Sequence, residues 1–190
     1  VASDYAIALP LESKPGTQFE YNSGNSAILM RIITDTLGGT PQAESYIKKR
    51  LLNPLGIKKV VYQRDSSGRI VGFMGINMTA RDQARFGLLY LRNGVWGKKK
   101  VISPEWVKFS STPSPTFQGY AGHWWTHYLL GSSASPGDFT ALGYYGQYVT
   151  VSRSKRMVMV INTAFEGTPT EQTAKARNLV QSLYALFPLR

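Results

Sequence analysis

The segment "PGTQFEYNSGNSAILMRII", residues 15–33, joins a turn to a helix and contains the residues that indicate the fold. Its first two residues, Pro15-Gly16, are a turn signal. Apolar residues then recur at helical spacing, which predicts a helix over residues 25–37 that Gly38-Gly39 ends. The question is why Tyr21 and a cluster of small polar residues stand directly before that helix.

Taken alone, this cluster has an ordinary structural explanation. A tyrosine just before a buried helix commonly packs in the core. Asn22 and Ser23 are both residue types that cap helix N-termini well, because their side-chain oxygens accept backbone N–H bonds. A functional role for the three residues therefore needs support from the rest of the chain.

The remaining patterns predict an α+β fold. Periodicity and capping signals predict further helices, and Val-rich and aromatic-rich stretches predict strands. The expected helices cover residues 40–52, 79–94, a short stretch from residue 103, and 170–187, and Thr40 is expected as the N-cap of the first of these. The expected strands are Gln147–Ser152 and Met157–Asn162. Residues 111–140 otherwise resemble loop, with one further strand expected around 124–126. Helices, then antiparallel strands, then a helix are typical of α+β rather than βαβ folds. We expect one domain over 1–190, with helices and loops in 1–135 and sheet strands plus the C-terminal helix in 136–190.

Composition limits the function classes. The 190 residues are 43% hydrophobic and 17% charged, which is ordinary for a globular domain. The net charge is +11, but the basic runs are short, scattered and unaccompanied by a nucleic-acid-binding module, so a solvated basic exterior is favoured over nucleic-acid binding. No apolar run is long enough to span a bilayer. No cofactor is indicated.

Cysteine is absent, which excludes disulfides and thiolate catalysis. Its absence fits a periplasmic or secreted protein without establishing export, and a cytoplasmic one stays open. The first residues, "VASDYAIALPLESKPG", have neither the charged n-region nor the apolar h-region of a signal peptide, and no initiator methionine. We therefore expect a processed product or a fragment.

Four segments in order carry a family resemblance: "PGTQFEYNSGNSAILMRII", "YIKKRLLNPLGI", "MTARDQARFGLLYLRNGVWGKKKVISPEWV" and "ALGYYGQYVTV". Together they resemble the serine β-lactamase and penicillin-binding-protein superfamily, most closely the branch with class C β-lactamases, family VIII carboxylesterases and aminohexanoate-dimer hydrolases. The resemblance implies a β-lactamase/transpeptidase-like fold, with a helical subdomain beside an antiparallel sheet flanked by helices. It also implies three catalytic elements: Ser-x-x-Lys, Tyr-x-Asn or Ser-x-Asn, and Lys-Thr-Gly or a relative.

The resemblance assigns the opening segment to the second element. Tyr21 matches its tyrosine, whose phenolate a nearby lysine ammonium would favour, so it could take the serine proton and return it to the leaving group. Asn22 and Ser23 fill the substrate-binding places. The common order is Tyr-Ser-Asn, and Ser23 offers a hydroxyl where an amide normally contacts the substrate, which would alter selectivity. The motif order further implies that Tyr21 faces a cleft shared with Gly143 and Tyr144.

The third element matches Ala141-Leu142-Gly143 on a strand. Gly143 would let the backbone approach the substrate, and the N–H of Tyr144 would be one donor of the oxyanion hole. Ala141 replaces the cation that often binds a β-lactam carboxylate, while Tyr144 and Tyr145 supply aromatic surface. The resemblance therefore implies a neutral ester or amide substrate rather than a penicillin.

The first element has no convincing match in the chain. "SYIK" at 45–48 lies within a predicted helix downstream of Tyr21, and Lys48 opens a basic run. "SRSK" at 152–155 lies at a predicted hairpin turn. We therefore expect the nucleophile on an upstream segment of the same protein, with this chain as the C-terminal portion.

Two other patterns have weaker functional interpretations. His123 and His127 are spaced four apart, but the surroundings resemble strand or loop and lack a HExxH glutamate, which disfavours a metal site. Trp124 and Trp125 resemble the family's "GWW" strand, with one ring expected in the core and one near the site. Three functions are left open: an ester or amide hydrolase, a β-lactamase or D-Ala-D-Ala peptidase, and an inactive binding or scaffold domain.

Overall fold

The computed structural model describes residues 1–126, 130–131 and 135–188 and confirms the α+β class. The chain divides into two compact units, Val1–Met78 and Thr79–Arg190. The predicted subdivision between residues 135 and 136 stays a prediction. No helix of the described residues is long and apolar enough to cross a membrane.

The first unit consists of helices and one short strand pair. Its elements are α1 Ala2–Ala8, α2 Ser23–Thr36, α3 Thr40–Ile47 with a π-helical turn Lys48–Leu52, and the antiparallel strands β1 Val61–Tyr62 and β2 Ile76–Asn77. Helix α2 confirms the helix expected over 25–37. Thr40 was expected as the N-cap of α3; instead it is the first helical residue, and Gly39 is the N-cap without a side-chain bond. Gly39 has φ +125°, which glycine adopts readily, so it can take the non-helical cap position.

The second unit is built around a four-stranded antiparallel sheet with strand order β5-β6-β7-β8. Its elements are α4 Ala80–Leu91, β3 Val95–Trp96, β4 Lys99–Lys100, α5 Pro104–Ser111, β5 Trp125–Thr126, β6 Phe139–Gly143, β7 Gln147–Ser152, β8 Met157–Asn162 and α6 Pro169–Ala185. The bounds of β7 and β8 match the expected strands, and β5 confirms the strand expected around 124–126. The periodicity missed the start of β6, where 139–140 was assigned to the loop.

Helices cover both faces of this sheet. On one face α4, α5 and Trp124 pack against Phe139 and Val151, and on the other α6 packs against Tyr148 and Ile161. Gly87 of α4 lets that helix approach the sheet closely, since a Cβ there would lie 2.7 Å from Val158 Cγ1. The sheet is thereby held between two apolar layers, which fixes the direction of β6 and the turn that follows it.

Candidate functional site

The turn between β6 and β7 is the best-defined part of the candidate site. Gly143 pairs with Gln147, so three residues, 144–146, connect the strands. Tyr145 has φ +58° and Gly146 has φ +82°, both in the left-handed region. Glycine adopts that region without strain, whereas a tyrosine does so only when the surroundings hold it.

The surroundings of this turn do hold it in place. Thr163, directly after β8, donates from its Oγ1 to the carbonyl oxygen of Tyr145 at 2.8 Å. Gln147 Nε2 donates to the carbonyl oxygen of Thr163 at 2.6 Å. A Cβ on Gly146 would lie 2.1 Å from Thr163 Oγ1, so only glycine fits there. The turn is therefore tied to the end of β8 rather than free to move alone.

Two tyrosine rings project from the turn into solvent. Tyr144 is 63% exposed and Tyr145 is 47% exposed, and their ring centroids lie 4.0 Å apart at an angle of 61°. Hydrogen bonding with the side chain of Tyr145 raises the pKa of the Tyr144 phenol above its ordinary value. Tyr144 therefore stays protonated near neutral pH, and its ring can offer aromatic contact rather than act as a base.

The backbone beside these rings leaves hydrogen-bonding groups open. Strand β5 pairs only with Phe139 and Thr140, so the rest of that edge of β6, from Ala141 to Gly143, has no strand partner within the described ranges. The Tyr144 N–H likewise has no hydrogen-bond acceptor among the described residues. A Cβ on Gly143 would lie 2.9 Å from both Cβ and the carbonyl oxygen of Gln147. An open strand edge ending in an unengaged N–H suits the binding of an anionic oxygen.

Ala141 lies on this strand with its side chain half-buried. It packs against the aromatic cluster that includes Phe86, Trp124 and Phe139. A longer cationic side chain there would have to pass this cluster to reach solvent. The packing of the strand therefore helps to explain why position 141 carries no cation, and the candidate site lacks a positive charge there as a result.

The segment around Tyr21 lies in the other unit. Tyr21 is 56% exposed, and Asn22 is the N-cap of α2, accepting the Gly24 N–H on its Oδ1 at 2.6 Å. Ser23 is the first residue of that helix and is exposed. The capping role explains Asn22 structurally and leaves its side-chain NH₂ group for a ligand. The shared cleft expected for Tyr21, Gly143 and Tyr144 stays a prediction, as do the roles of these residues.

The structure gives "SRSK" a structural role. Ser152 is fully buried and donates from its hydroxyl to Asp138 Oδ2 at 2.9 Å. Lys155 directs its ammonium to the carbonyl oxygen of Phe187, over the ring of Tyr184. The serine and the lysine are thus each engaged with other groups. In the other string, Ser45 is exposed on α3 and Lys48 opens the π-helical turn.

A buried carboxylate, Asp138, organises the β7–β8 turn and was missed by the sequence reasoning. Its Oδ2 accepts from the hydroxyls of Ser152, Ser154 and Tyr184, and its Oδ1 accepts from the backbone N–H groups of Arg153 and Ser154. Asp138 is only 1% exposed, so these bonds replace its hydration. The one signal in the sequence was an aspartate directly before a β-rich stretch, which is too common to be informative.

The remaining candidates are distributed as follows. Trp124 is buried in the aromatic cluster, which confirms that one tryptophan ring lies in the core. Trp125 is half-buried and contacts Tyr120 edge to face, with ring centroids 4.9 Å apart. His123 is exposed with φ +66°, and His127 lies outside the described residues.

Comparison with solved structures shows the same fold in other proteins. A chain from Bacillus anthracis, provisionally described as a 6-aminohexanoate-dimer hydrolase, superposes with TM-score 0.76 at 24% identity over 98% of this chain and 50% of its own. A provisionally described beta-lactamase from Bacteroides dorei gives TM-score 0.64 at 19% identity over 92% of this chain and 64% of its own. A beta-lactamase from Mycobacterium bovis gives TM-score 0.69 at 18% identity over 90% of this chain and 66% of its own. The chain thus spans between half and two thirds of the length of these proteins.

Sequence comparison identifies the family. No curated protein sequence matches the chain. A family model described as Beta-lactamase matches residues 2–183, which covers both compact units and every segment that carried the resemblance. On that match, the chain belongs to the beta-lactamase family.

Proposed function

We propose that this chain is part of a serine hydrolase that cleaves an ester or an amide through an acyl-enzyme. The observation that carries the proposal is the family match over residues 2–183, which includes both Tyr21 and the β6–β7 turn. The open N–H of Tyr144 beside an uncovered strand edge supports it, because acyl transfer needs such donors for the developing oxyanion. The names of the structural neighbours, a hydrolase and two beta-lactamases, are consistent with it.

The proposed reaction has two steps. In the first, a serine hydroxyl loses its proton to the Tyr21 phenolate, and its oxygen forms a bond to the substrate carbonyl carbon. The bond to the leaving alcohol or amine then breaks, and the leaving group takes the proton from Tyr21. In the second, water gives a proton to Tyr21 while its oxygen forms a bond to the acyl carbon; the bond from that carbon to the serine oxygen then breaks, and the serine oxygen takes the proton from Tyr21, which releases the acid and restores the serine. The N–H of Tyr144 would stabilise the oxyanion in both steps.

We further propose that the serine and its lysine lie on a segment of the protein outside these 190 residues. Two observations support this. Ser152 of "SRSK" is engaged in the buried network around Asp138, and the chain spans only 50–66% of the length of its structural neighbours. A serine within 1–190 would have to lie elsewhere, with Ser45 the first to consider because it belongs to the other Ser-x-x-Lys string.

The substrate proposed is a neutral ester or amide. Ala141 supplies no cation for a carboxylate, and the exposed rings of Tyr144 and Tyr145 supply aromatic surface. A β-lactamase or D-Ala-D-Ala peptidase is the alternative, favoured by the names of two structural neighbours. An inactive scaffold domain, the third possibility, predicts no turnover of any of these substrates.

An experiment on the full-length protein separates these functions. Turnover of short p-nitrophenyl esters and of nitrocefin is compared in wild type and in Ala141→Lys, together with labelling by a fluorescent penicillin. We expect ester turnover to exceed nitrocefin turnover in wild type and the gap to narrow in the variant, since a cation attracts the lactam carboxylate.

The thermal midpoint of Ala141→Lys is measured in parallel, because residue 141 packs against the aromatic cluster. Nitrocefin hydrolysis by wild type as fast as short-ester hydrolysis, with stoichiometric penicillin labelling, would favour the β-lactamase or peptidase.

A further inference from the structure

A cavity of about 520 Å³ lies at the opposite end of the sheet from the Tyr144 turn. It opens between the C-terminal end of α4 and the β7–β8 turn, and its lining residues are Leu88, Leu91, Arg92, Asn93, Arg153 and Arg156. Strand β7 is six residues long and separates the two turns, so they lie roughly 15–20 Å apart at about 3.3 Å per residue. The cavity is therefore distinct from the Tyr144 turn.

Three of its lining residues are arginines, and none of their guanidinium groups forms an ion pair with a carboxylate of the described residues. The ion pairs of the described residues involve other cations throughout, and Arg92, Arg153 and Arg156 take part in none of them. A guanidinium is always charged and presents several N–H donors in one plane. Three such groups around one cavity repel one another unless an anion lies between them.

Packing against other side chains positions two of these guanidinium groups. The guanidinium carbon of Arg153 lies 5.4 Å from the ring centroid of Phe139, and its Nη2 donates to Ser111 Oγ at 3.3 Å. Arg92 lies over the ring of Trp96 at 5.4 Å. The Nε of Arg153 is buried and has no hydrogen-bond partner in the part of the chain that the structure describes. A buried N–H of this kind costs stability unless a ligand or an ordered water accepts it.

The negative groups nearby do not neutralise the cavity. Asp138 is bonded to the lining, but it is buried, and its Oδ1 already accepts the Arg153 backbone N–H at 2.8 Å. At the end of α4, the N–H groups of Arg92, Asn93 and Gly94 satisfy carbonyls of the last turn. The three guanidinium groups therefore leave the cavity positively charged, and a phosphate group would balance that charge.

We propose that this cavity binds a small organic molecule that carries a phosphate group. Arginine is the residue best suited to phosphate, because its planar N–H groups bind two oxygens at once. Leu88 and Leu91 offer an apolar side to the rest of the ligand. The volume lies within the range of small-molecule sites, about 300–1,000 Å³, and exceeds what a bare phosphate ion would fill.

The test is calorimetric titration of the full-length protein with inorganic phosphate and with phenyl phosphate at constant ionic strength. We expect saturable binding of one molecule per chain, tighter for phenyl phosphate. Arg92→Gln and Arg156→Gln should each weaken binding by about tenfold, the effect of losing one charged hydrogen bond. Arg81→Gln is the matched control, because it removes the same charge from an exposed position on α4 outside the cavity. It should leave binding unchanged.

Several outcomes would overturn the proposal. Absence of saturable binding in the millimolar range would do so. Equal weakening in the Arg81→Gln control would show general attraction to a chain of net charge +11. Equal affinity for inorganic phosphate and phenyl phosphate would show that the cavity does not recognise an organic group on the phosphate. If a cavity variant fails to fold, protection of wild-type Arg92 and Arg156 from phenylglyoxal by phenyl phosphate, mapped by mass spectrometry, decides instead, and no protection contradicts the site.

Discussion

The hydroxyl of Tyr21 carries the most specific chemical hypothesis about this chain. We expect Tyr21→Phe in the full-length protein to lower turnover by roughly 10²–10⁴-fold, the usual share of general acid–base catalysis. Steady-state ester hydrolysis measures the effect. Tyr46→Phe is the control, because it removes an exposed hydroxyl of 49% exposure from α3 in the same unit. Unchanged turnover in Tyr21→Phe would show that another group, such as the lysine of Ser-x-x-Lys, is the base.

The residues of the candidate site differ in how far the sequence alone defined them. The helix-capping potential of Asn22 was evident from its residue type, and the structure shows it as the cap. The fixed turn at Tyr145 was not evident, because it depends on Thr163, 18 residues later, and on the lack of a Cβ at Gly146. Such contacts between distant residues leave no periodic pattern in the sequence.

Among the elements, helices and paired strands were the easiest to anticipate. The N-cap Thr79 and the periodicity of α4 are local signals, so the sequence predicts this helix. A short turn connects β7 to β8, and the sequence therefore also predicts the bounds of these two strands. Strand β6 was harder, because Gly, Ser and Pro surround it and its partner in sequence order, β5, is only two residues long. Tertiary pairing, not local propensity, makes it a strand.

The join between α6 and the sheet depends on the buried Asp138 carboxylate. We expect Tyr184→Phe to lower the free energy of unfolding by about 1.5–3 kcal/mol, because it removes one hydrogen bond to a buried charge without removing the ring. Urea denaturation of the full-length protein measures the change, with Tyr46→Phe again as the control. A change no larger than that of the control would mean that Asp138 does not depend on this hydroxyl.

For the molecule as a whole, the outer edge of β8 is the feature that the described residues leave unexplained. Strand β8 pairs with β7 on one side and with no strand of the described residues on the other. An uncovered edge with Val and Met side chains is a template for another strand. We propose that a segment of the full-length protein outside these 190 residues covers it.

Hydrogen exchange tests this proposal at the level of the sheet. We expect the amides of β8 to be protected in the full-length protein, and to exchange faster, or to be covered by self-association, in the 190-residue chain alone. The amides of β7, which has a strand on each side, serve as the internal reference. A monomeric 190-residue chain whose β8 amides are as protected as in the full-length protein would contradict the proposal.

The central proposal is that a serine outside these residues forms the acyl-enzyme. The most direct test is to treat the full-length protein with a fluorophosphonate serine probe and to locate the label by peptide mapping. We predict one label, on the serine of a Ser-x-x-Lys motif upstream of Val1, and none when Val1–Arg190 is treated alone. Labelling of Ser45 or another serine within residues 1–190, or no labelling of the full-length protein, would contradict the account.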